Sequence, residues 1–385
     1  MTGVIPEFIS NFEQLFYYYN NNCNTCISKK KKHIRQHTIQ KKESSMMEYL
    51  KMYITITVII QLCIVLCIAN DGENIPSIRR SNIQSSNDDA KNQLCFENGI
   101  YFKQLLAGVD YAKVSKATNM FEQQSFRFAE QMKNYVYLIG DLSTGECIVV
   151  DGCWDVKGIK RYAKKDGMKI KHYVATHYHY DHIGGEVTME PFKSKNIKLP
   201  GLREFVLGIK TKNRMKRLKD NSIPPIAQAY ISEVELEEAA KRTQTPQVYF
   251  SALKDYSTLD LGDRIRLTFR HTPGHSPGSM VILVSKIDVD DEPLFMISGD
   301  TLFPGSCGRV DLPESDPVSM WDSLQTIKQT YKNDLIVYPG HGYSKSNTTI
   351  GNEKRNGLLG ITKTQWMSGR KKKKVQKINL YKKET

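Results

Sequence analysis

Short apolar runs recur through the middle of the chain, separated by turns rich in Gly, Pro, Ser and Asn. Runs with many β-branched residues predict strands, whereas apolar residues spaced three and four apart predict helices. Ser232 and Asp316 are predicted to cap two of the helices. Strands are predicted over 134–141, 147–151, 169–176, 264–271, 280–285, 294–298 and 334–338, and helices over 156–165, 233–242 and 316–328.

Polar residues that suit metal chemistry follow directly after several of these strands. Asp151 follows an Ile-Val-Val run, and Asp300 and His341 each come just after a predicted strand. A rigid sheet holds side chains at the ends of its strands in a fixed geometry. The pattern therefore favours a functional site built from strand-end loops, and Asp151 is expected to support the metal ligands from behind.

The N-terminal part of the chain differs from the middle. Residues 1–51 are polar with runs of Asn and Lys, which predicts a disordered leader. Residues 52–70 are uncharged and mostly apolar, which predicts a signal-peptide core and entry into the secretory pathway; a short membrane anchor is the alternative. Residues 71–94 are rich in Ser, Asn and Asp, and they read as a linker or as a transit-like segment resembling the bipartite leaders of plastid-targeted proteins.

The basic charge is concentrated at the two ends. The formal net charge is +14, but residues 1–52 carry eight Lys and Arg against four acids, and residues 356–385 carry nine against one. Only +2 remains for the middle of the chain, so no specific nucleic acid partner is expected. The eight cysteines are scattered, and no disulfide framework or cysteine zinc site is predicted.

The segment from His177 to His182 contains three imidazoles and one carboxylate directly after the predicted strand 169–176. Imidazole nitrogen and carboxylate oxygen are the natural ligands of zinc and similar divalent metals. A polar surface loop is the alternative reading. A Pro- and Gly-rich loop carrying His271 and His275 supplies further donors. Of these two, His275 is the expected ligand, whereas His271 is expected to pack behind the site.

The order of these motifs resembles the metallo-β-lactamase superfamily over about residues 97–355. The resemblance implies an α+β fold, a four-layer αββα sandwich with its site at one edge, in a catalytic domain of residues 95–355. It also implies two divalent metal ions, with zinc expected first and iron or manganese as alternatives. By this resemblance the first metal is bound by His177, His179 and His275, the second by Asp181, His182 and His341, and Asp300 bridges both.

Two cations in such a site would share a water molecule and lower its pKa to about 7. The resulting hydroxide would attack a carbonyl carbon while one metal stabilises the developing oxyanion. Asp181 and Asp300 are the predicted catalytic residues. Asp300 offsets the repulsion between the cations, and Asp181 is placed to hold a proton near the reacting centre.

Within the superfamily, the motifs resemble the glyoxalase II-like branch, the hydroxyacylglutathione hydrolases. This implies a thioesterase that hydrolyses glutathione thioesters such as S-D-lactoylglutathione. Arg309, Lys354 and Arg355 are the predicted substrate-binding residues, since a guanidinium pairs well with the carboxylates of glutathione. The motifs that carry the resemblance are 181–185, 271–275, 299–303, 305–309, 338–342 and 348–355.

Two departures from that branch affect the expected substrate. The helical domain that follows in typical members is replaced by residues 356–385, which are predicted to be a basic disordered tail. The stretch 186–247 is long and partly basic, and such an insertion would cover the site and change the substrate.

Two other activities of the same fold are alternatives. A mononuclear iron persulfide dioxygenase would use His177, His275 and Asp300, but Gly184-Gly185 and the motif around His341 fit the hydrolases better. A nuclease would need a basic groove, which the near-neutral middle of the chain does not favour. The sequence leaves the oligomeric state open.

Overall fold

The structure is a computed structural model, described here over residues 99–187, 197–287 and 292–368. The predicted leader, signal or anchor, and linker segments (1–51, 52–70 and 71–94) lie outside these residues, as does residue 95. Within the described ranges no helix has the length and apolar character needed to cross a membrane.

The described residues form fourteen strands and, as far as residue 360, eight α-helices; a further helical stretch covers 363–368. In chain order the strands are β1 (Ile100–Leu106), β2 (Tyr135–Asp141), β3 (Glu146–Val150), β4 (Lys169–Val174), β5 (Gly185–Val187), β6 (Ile197–Leu199), β7 (Gln228–Ser232), β8 (Phe250–Leu253), β9 (Thr258–Leu261), β10 (Ile265–His271), β11 (Met280–Lys286), β12 (Phe295–Gly299), β13 (Ile336–Pro339) and β14 (Thr348–Thr349). The helices are α1 (Met120–Met132), α2 (Val156–Lys165), α3 (Tyr180–Ile183), α4 (Leu202–Val206), α5 (Thr211–Lys219), α6 (Leu236–Thr243), α7 (Pro317–Thr330) and α8 (Ile350–Asn356).

The strands make two large sheets and one hairpin. The first sheet has the order β1-β2-β3-β4-β7-β8, the second β14-β13-β12-β11-β10-β9, and β5 pairs with β6. Pairing is parallel between β3 and β4, between β4 and β7, between β7 and β8, and between β12 and β13. Parallel neighbours end at the same edge of a sheet, so the loops after β3, β4, β12 and β13 are brought close together.

Alternation along the strands builds three apolar layers. In β2, Val136 and Leu138 belong to a cluster with the helices, while Tyr137 and Ile139 face a cluster shared with the second sheet. Because successive side chains of a strand point to opposite faces, a strand covered on both sides is buried along its whole length. A third cluster joins the second sheet to α7 and α8. The architecture is α+β with four layers, αββα, so the predicted fold is confirmed.

Most predicted elements are present, and the predicted hairpin is β2 paired antiparallel with β3. Asp316 caps α7 by accepting from the backbone N–H groups of Val318 and Ser319. The helix predicted over 233–242 begins three residues later than expected. Ser232 ends β7 and accepts only from Val234 N–H, and α6 begins at Leu236.

Neither α1 nor β1 was predicted from the sequence. In α1 only Ser125, Phe126 and Ala129 are buried. This buried face is too narrow to give the sequence a clear helical period of apolar residues. In β1, Lys103 and Gln104 interrupt the apolar run, because this edge strand is only partly covered.

The folded chain also continues beyond residue 355, where the sequence predicted a disordered tail. A short 3-10 helix, Leu358–Gly360, follows α8. Trp366 is 3% exposed, packs on Trp321 with ring centroids 6.0 Å apart, and donates from Nε1 to the Pro317 carbonyl at 3.0 Å. Residues 356–368 therefore belong to the folded layer around α7, and residues 369–385 lie outside the described part.

We predict that Trp366→Ala lowers the free energy of unfolding by about 3 to 5 kcal/mol, because it leaves a cavity against Trp321 and removes the indole hydrogen bond to the Pro317 carbonyl. The neighbouring Met367 is 38% exposed, so Met367→Ala is the matched control and is expected to cost less than about 0.5 kcal/mol. Urea unfolding measures both. Equal, small effects would mean that this segment does not stabilise the domain.

Candidate metal centre

The loops at the shared sheet edges bring together all seven residues predicted as metal ligands. His177 follows β4, His275 lies between β10 and β11, Asp300 follows β12 and His341 follows β13. Their donor atoms form three overlapping groups, each within 4.8 Å: His177, His179 and His275; His177, His182 and Asp300; and Asp181, His182 and His341.

The first group contains three imidazoles whose nitrogens almost touch. Nδ1 of His179 lies 3.0 Å from Nε2 of His177 and 2.9 Å from Nε2 of His275. His177 and His275 are buried, and the side chain of His179 is 12% exposed, so this group opens to solvent on the His179 side.

The group formed by Asp181, His182 and His341 is more enclosed. Nε2 of His182 lies 3.3 Å from Nε2 of His341. Oδ2 of Asp181 lies 3.6 Å from the first of these nitrogens and 3.5 Å from the second. All three side chains are buried.

Asp300 contacts both of the predicted metal-binding groups. Its Oδ2 lies 3.3 Å from Nε2 of His275 and 3.4 Å from Nε2 of His341, while its Oδ1 lies 3.5 Å from Nε2 of His182. Oδ1 is buried and has no hydrogen-bond partner. A Cβ at Gly340 would lie 2.4 Å from Oδ1, so only glycine allows this approach.

Each of the five imidazoles has one nitrogen that faces the other donor atoms and one, the outer nitrogen, that faces away from them. Every outer nitrogen lies within hydrogen-bond distance of an oxygen atom. Such outer contacts orient a histidine ligand and set its tautomer. They join His177 Nδ1 to Thr176 Oγ1 at 3.1 Å, His179 Nε2 to Glu314 Oε1 at 2.7 Å, His182 Nδ1 to Asp151 Oδ2 at 2.9 Å, His275 Nδ1 to the Arg309 carbonyl at 2.8 Å, and His341 Nδ1 to the Met132 carbonyl at 2.7 Å.

These contacts place a proton on every outer nitrogen. Carbonyl and carboxylate oxygens only accept, so the histidines facing them must donate. Thr176 donates its own hydroxyl proton to Asp151 Oδ2 at 2.7 Å, so it must accept from His177. Neutral imidazoles then turn their lone pairs inward, towards one another and towards Asp300. Lone pairs cannot satisfy one another, whereas divalent cations would satisfy all of them, so the donor set fits a metal centre.

The electrostatics of the cluster agree with this fit. Burial would lower the pKa of His182, but the Asp181, Asp151 and Asp300 carboxylates outweigh it and raise the pKa to about 10. The negative charge that favours a proton on His182 favours a metal cation in the same place. Burial, with the imidazoles of His182 and His179, holds the pKa of His177 well below its usual value and keeps that ring neutral.

Asp151 lies behind the cluster, as the sequence predicted. Besides His182, its carboxylate accepts from the backbone N–H of Thr176 at 2.8 Å. Its φ of 54° is in the left-handed region, which costs energy for a residue other than glycine. That backbone conformation turns the carboxylate from the end of β3 towards the histidine loop.

Asn134 supports Asp181 and was not predicted as a site residue. It is 1% exposed, donates from Nδ2 to Asp181 Oδ2 at 3.1 Å, and accepts at Oδ1 from Trp154 Nε1 at 3.1 Å. It stands where α1 ends and β2 begins, after Lys133 in the left-handed conformation. In the sequence this is an ordinary first residue of a strand, and nothing marks it.

Two glutamates also support the ligand loops and were missed. Glu314, besides holding His179, lies five residues after the motif 305–309, and this short separation was the available signal. Glu235 is buried and accepts from Gly278 N–H at 2.8 Å, which ties the His275 loop to the start of α6. Burial raises the pKa of Glu235 to about 7.

The remaining predicted site residues lie at different distances from this centre. His271 contacts the Pro277 carbonyl through Nε2 at 2.9 Å, so it braces the outside of the His275 loop and contributes no donor atom to the three groups. Lys354 donates to Tyr331 O at 3.3 Å and Asn333 Oδ1 at 2.9 Å, beyond the C-terminal end of α7. Arg355 is on the same helix, near Gly351 and Asn333. The structure does not bring Lys354 or Arg355 to the metal ligands.

Arg309 does lie beside the centre. Its carbonyl holds His275, and its guanidinium is close enough to Tyr180 and Tyr343 to lower their pKa values, although burial leaves both pKa values raised. Tyr343 stacks on His341 with ring centroids 4.7 Å apart and is 53% exposed. Arg309, Tyr180 and Tyr343 thus form a rim that substrate would pass.

With the site defined, comparison with known proteins identifies the family. The sequence model of the metallo-beta-lactamase superfamily matches residues 131–185 and 224–341, which include all seven candidate ligands. The chain belongs to the metallo-beta-lactamase superfamily. Its family and its donor set make it a metal-dependent hydrolase of that superfamily.

The curated relatives include hydrolases of two kinds. The probable polyketide biosynthesis zinc-dependent hydrolase PksB of Bacillus subtilis (strain 168) is 29% identical over 213 residues, 55% of this chain and 75% of the relative. The hydroxyacylglutathione hydrolase GloC of Haemophilus influenzae is 26% identical over 220 residues, 57% of this chain and 89% of the relative. Among solved structures, a metallo-beta-lactamase of Staphylococcus aureus subsp. aureus COL is 23% identical, with a TM-score of 0.49, over 70% of this chain and 67% of that one.

We predict that Asn134→Ala weakens the binding of one divalent metal by roughly 10- to 100-fold, because Asp181 loses the partner that orients it. Asn356→Ala is the matched control, since Asn356 is exposed at the end of α8 and bonds only locally to Asn352. Competition with a chromophoric chelator measures both affinities. Unchanged metal binding in Asn134→Ala would remove this residue from the metal centre.

Proposed function

We propose that this chain is a dinuclear thioesterase that hydrolyses glutathione thioesters such as S-D-lactoylglutathione. The observation that carries the proposal is the position of Asp300, whose two oxygens contact histidines of both predicted metal-binding groups. A carboxylate placed between two sets of donors suits a pair of cations better than a single one. Relatives named hydroxyacylglutathione hydrolases supply the substrate class.

Two divalent ions, zinc first among the expected metals, would be held by the seven donors. When bound, such cations polarise a carbonyl group and lower the pKa of water towards about 7. Every other part of the proposed reaction rests on the protein. The outer acceptors fix the orientation and the tautomer of the histidines, so no ligand must reorient when substrate arrives.

Asp181 is the proposed proton acceptor. Burial alone would raise its pKa, but the His182 and His341 imidazoles hold the pKa below its usual value. The carboxylate is therefore ionised at neutral pH. Asn134 occupies one side of Oδ2, so the group is fixed in place while it receives the proton released as water adds to the thioester carbonyl.

Arg309 is the proposed contact for a glutathione carboxylate. Its side chain is 65% exposed and pairs with Asp311, Nε to Oδ1 at 2.9 Å. An exposed ion pair of this kind is worth only about 0 to 1 kcal/mol, so a substrate carboxylate can displace Asp311 and make the bidentate contact instead. The backbone of Arg309 stays fixed during this exchange because its carbonyl holds His275.

We expect the purified chain, supplied with zinc, to hydrolyse S-D-lactoylglutathione, and Arg309→Ala to raise KM about five- to tenfold with a smaller effect on kcat. Arg266→Ala is the matched control: Arg266 makes a similar exposed pair with Asp260, at the opposite end of β10 from the metal-binding loop. Steady-state kinetics measure all three proteins.

Two other outcomes would count against parts of the proposal. Absence of thioester hydrolysis, together with oxygen uptake that depends on glutathione persulfide, would make the chain a mononuclear iron persulfide dioxygenase. Hydrolysis with an unchanged KM in Arg309→Ala would remove Arg309 from the substrate site while leaving the thioesterase activity standing.

A further inference from the structure

A cavity of about 540 Å³ lies among the helices that cover the first sheet. It is bounded by α1, the start of α2, the β5–β6 hairpin, α4, α5 and the end of α6. None of the seven metal-ligand candidates is among its lining residues. A volume of this size suits a small organic molecule.

Much of this cavity is built by a segment that the family match leaves out. The superfamily match stops at residue 185 and resumes at residue 224. The segment between them, which contains α4, α5 and β6, supplies about half of the lining residues, including Arg203, Arg214, Met215 and Leu218. The cavity is therefore a feature that this chain adds to the common fold, and the shared catalytic motifs do not account for it.

The acidic residues of the lining are already engaged. Glu122 pairs with Lys157 at 3.4 Å, and Glu186 pairs with Lys198 at 3.3 Å. Asp155 caps α2 through Gly158 N–H at 2.7 Å, and Glu204 accepts from Gly201 N–H at 3.0 Å. These carboxylates are already paired with lysines or hydrogen-bonded to backbone N–H groups. They therefore do little to favour a cationic ligand in the cavity.

Two arginines of the lining lack a carboxylate partner in the described part of the chain. Arg203 donates from Nη1 only to the amide oxygen of Gln244, at 3.2 Å, and Arg242 stacks on the Tyr178 ring at 5.1 Å. Nε of each is buried without a hydrogen-bond partner. Guanidinium groups that lack an anion in a partly buried place favour binding a carboxylate, sulfonate or phosphate.

The remaining wall is apolar. Phe126 is buried, Ile209 and Leu218 pack on the core behind the cavity, and Met215 is 47% exposed beside them. The α5 helix that carries Met215 has five basic residues and no acidic one, so the field around the entrance is positive. One side of the cavity thus suits hydrocarbon and the other suits an anion.

We propose that this cavity binds a small organic anion with an apolar body, its charged group on Arg203 and Arg242 and its body against Phe126, Met215 and Leu218. The site is separate from the catalytic centre and does not rest on the proposed thioesterase activity. It adjoins that centre at two points. Arg242 stacks on Tyr178, which stands between two of the candidate histidine ligands in the sequence. Trp154 of the cavity wall donates a hydrogen bond to Asn134, which in turn donates to Asp181.

The probe for a test is 8-anilino-1-naphthalenesulfonate, whose rings and single sulfonate match the two halves of the cavity. We expect saturable binding of ~1 equivalent to the folded full chain, measured by fluorescence titration. Arg203→Gln and Arg242→Gln should each weaken binding about tenfold through loss of a charged hydrogen bond. Met215→Trp, which fills the entrance without changing charge, should weaken it as well.

Lys241→Gln is the matched control, since Lys241 is next to Arg242 on α6 but points to solvent, with its side chain 79% exposed. This variant should change the affinity less than about twofold. Binding should persist after chelation of metal and in the presence of saturating S-D-lactoylglutathione.

Three results would overturn the proposal. These are absence of saturable binding to the native chain, equal affinities in the cavity variants and the control, and displacement of the probe by the thioester. If an arginine variant fails to fold, Met215→Trp still decides, because it keeps both guanidinium groups. Loss of thioesterase activity alone would bear on the proposed function and not on this cavity.

Discussion

The structure depends on one constraint: five imidazoles must face one another with their lone pairs inward. Each ring is held in that orientation by an oxygen on its outer side, from Thr176, Glu314 and Asp151 and from the carbonyls of Arg309 and Met132. Without those oxygens the rings would be free to turn, and the inner nitrogens and Asp300 Oδ1 are satisfied only by a cation at the centre. The outer contacts therefore determine what the centre binds.

The fold supplies these acceptors from several layers. Asp151 comes from the end of β3 in a strained left-handed conformation, and Met132 is the last residue of α1, whose terminal carbonyl has no partner within the helix. Glu314 comes from the loop before α7. Because parallel strands from both sheets end at one edge, ligands that are up to 164 residues apart in sequence meet there, from His177 to His341. Packing of the sheets thus fixes the metal centre.

The sequence predicted seven of the fourteen described strands and pointed to the seven residues that the fold brings together, because short His- and Asp-bearing motifs and continuous apolar runs are local signals. It did not reveal Asn134, Glu235 or the α1 carbonyl, because their roles arise only from contacts between distant segments. Lys354 was assigned from its motif, yet its ammonium bonds to Tyr331 and Asn333, which the linear sequence does not place beside it. Trp366 was assigned to a disordered tail because neighbouring lysines dominate the composition, although one indole packed on Trp321 is enough to hold that segment.

The central claim is that the seven donors form one centre for two metals, joined by Asp300. The most direct test is the metal content of the purified full chain and of Asp300→Ala after dialysis against metal-free buffer, measured by mass spectrometry of the elements. The account predicts two divalent ions per native chain and a substantial loss of metal in Asp300→Ala, since both groups lose a shared ligand. One ion per native chain, or full metal content in the variant, would contradict it.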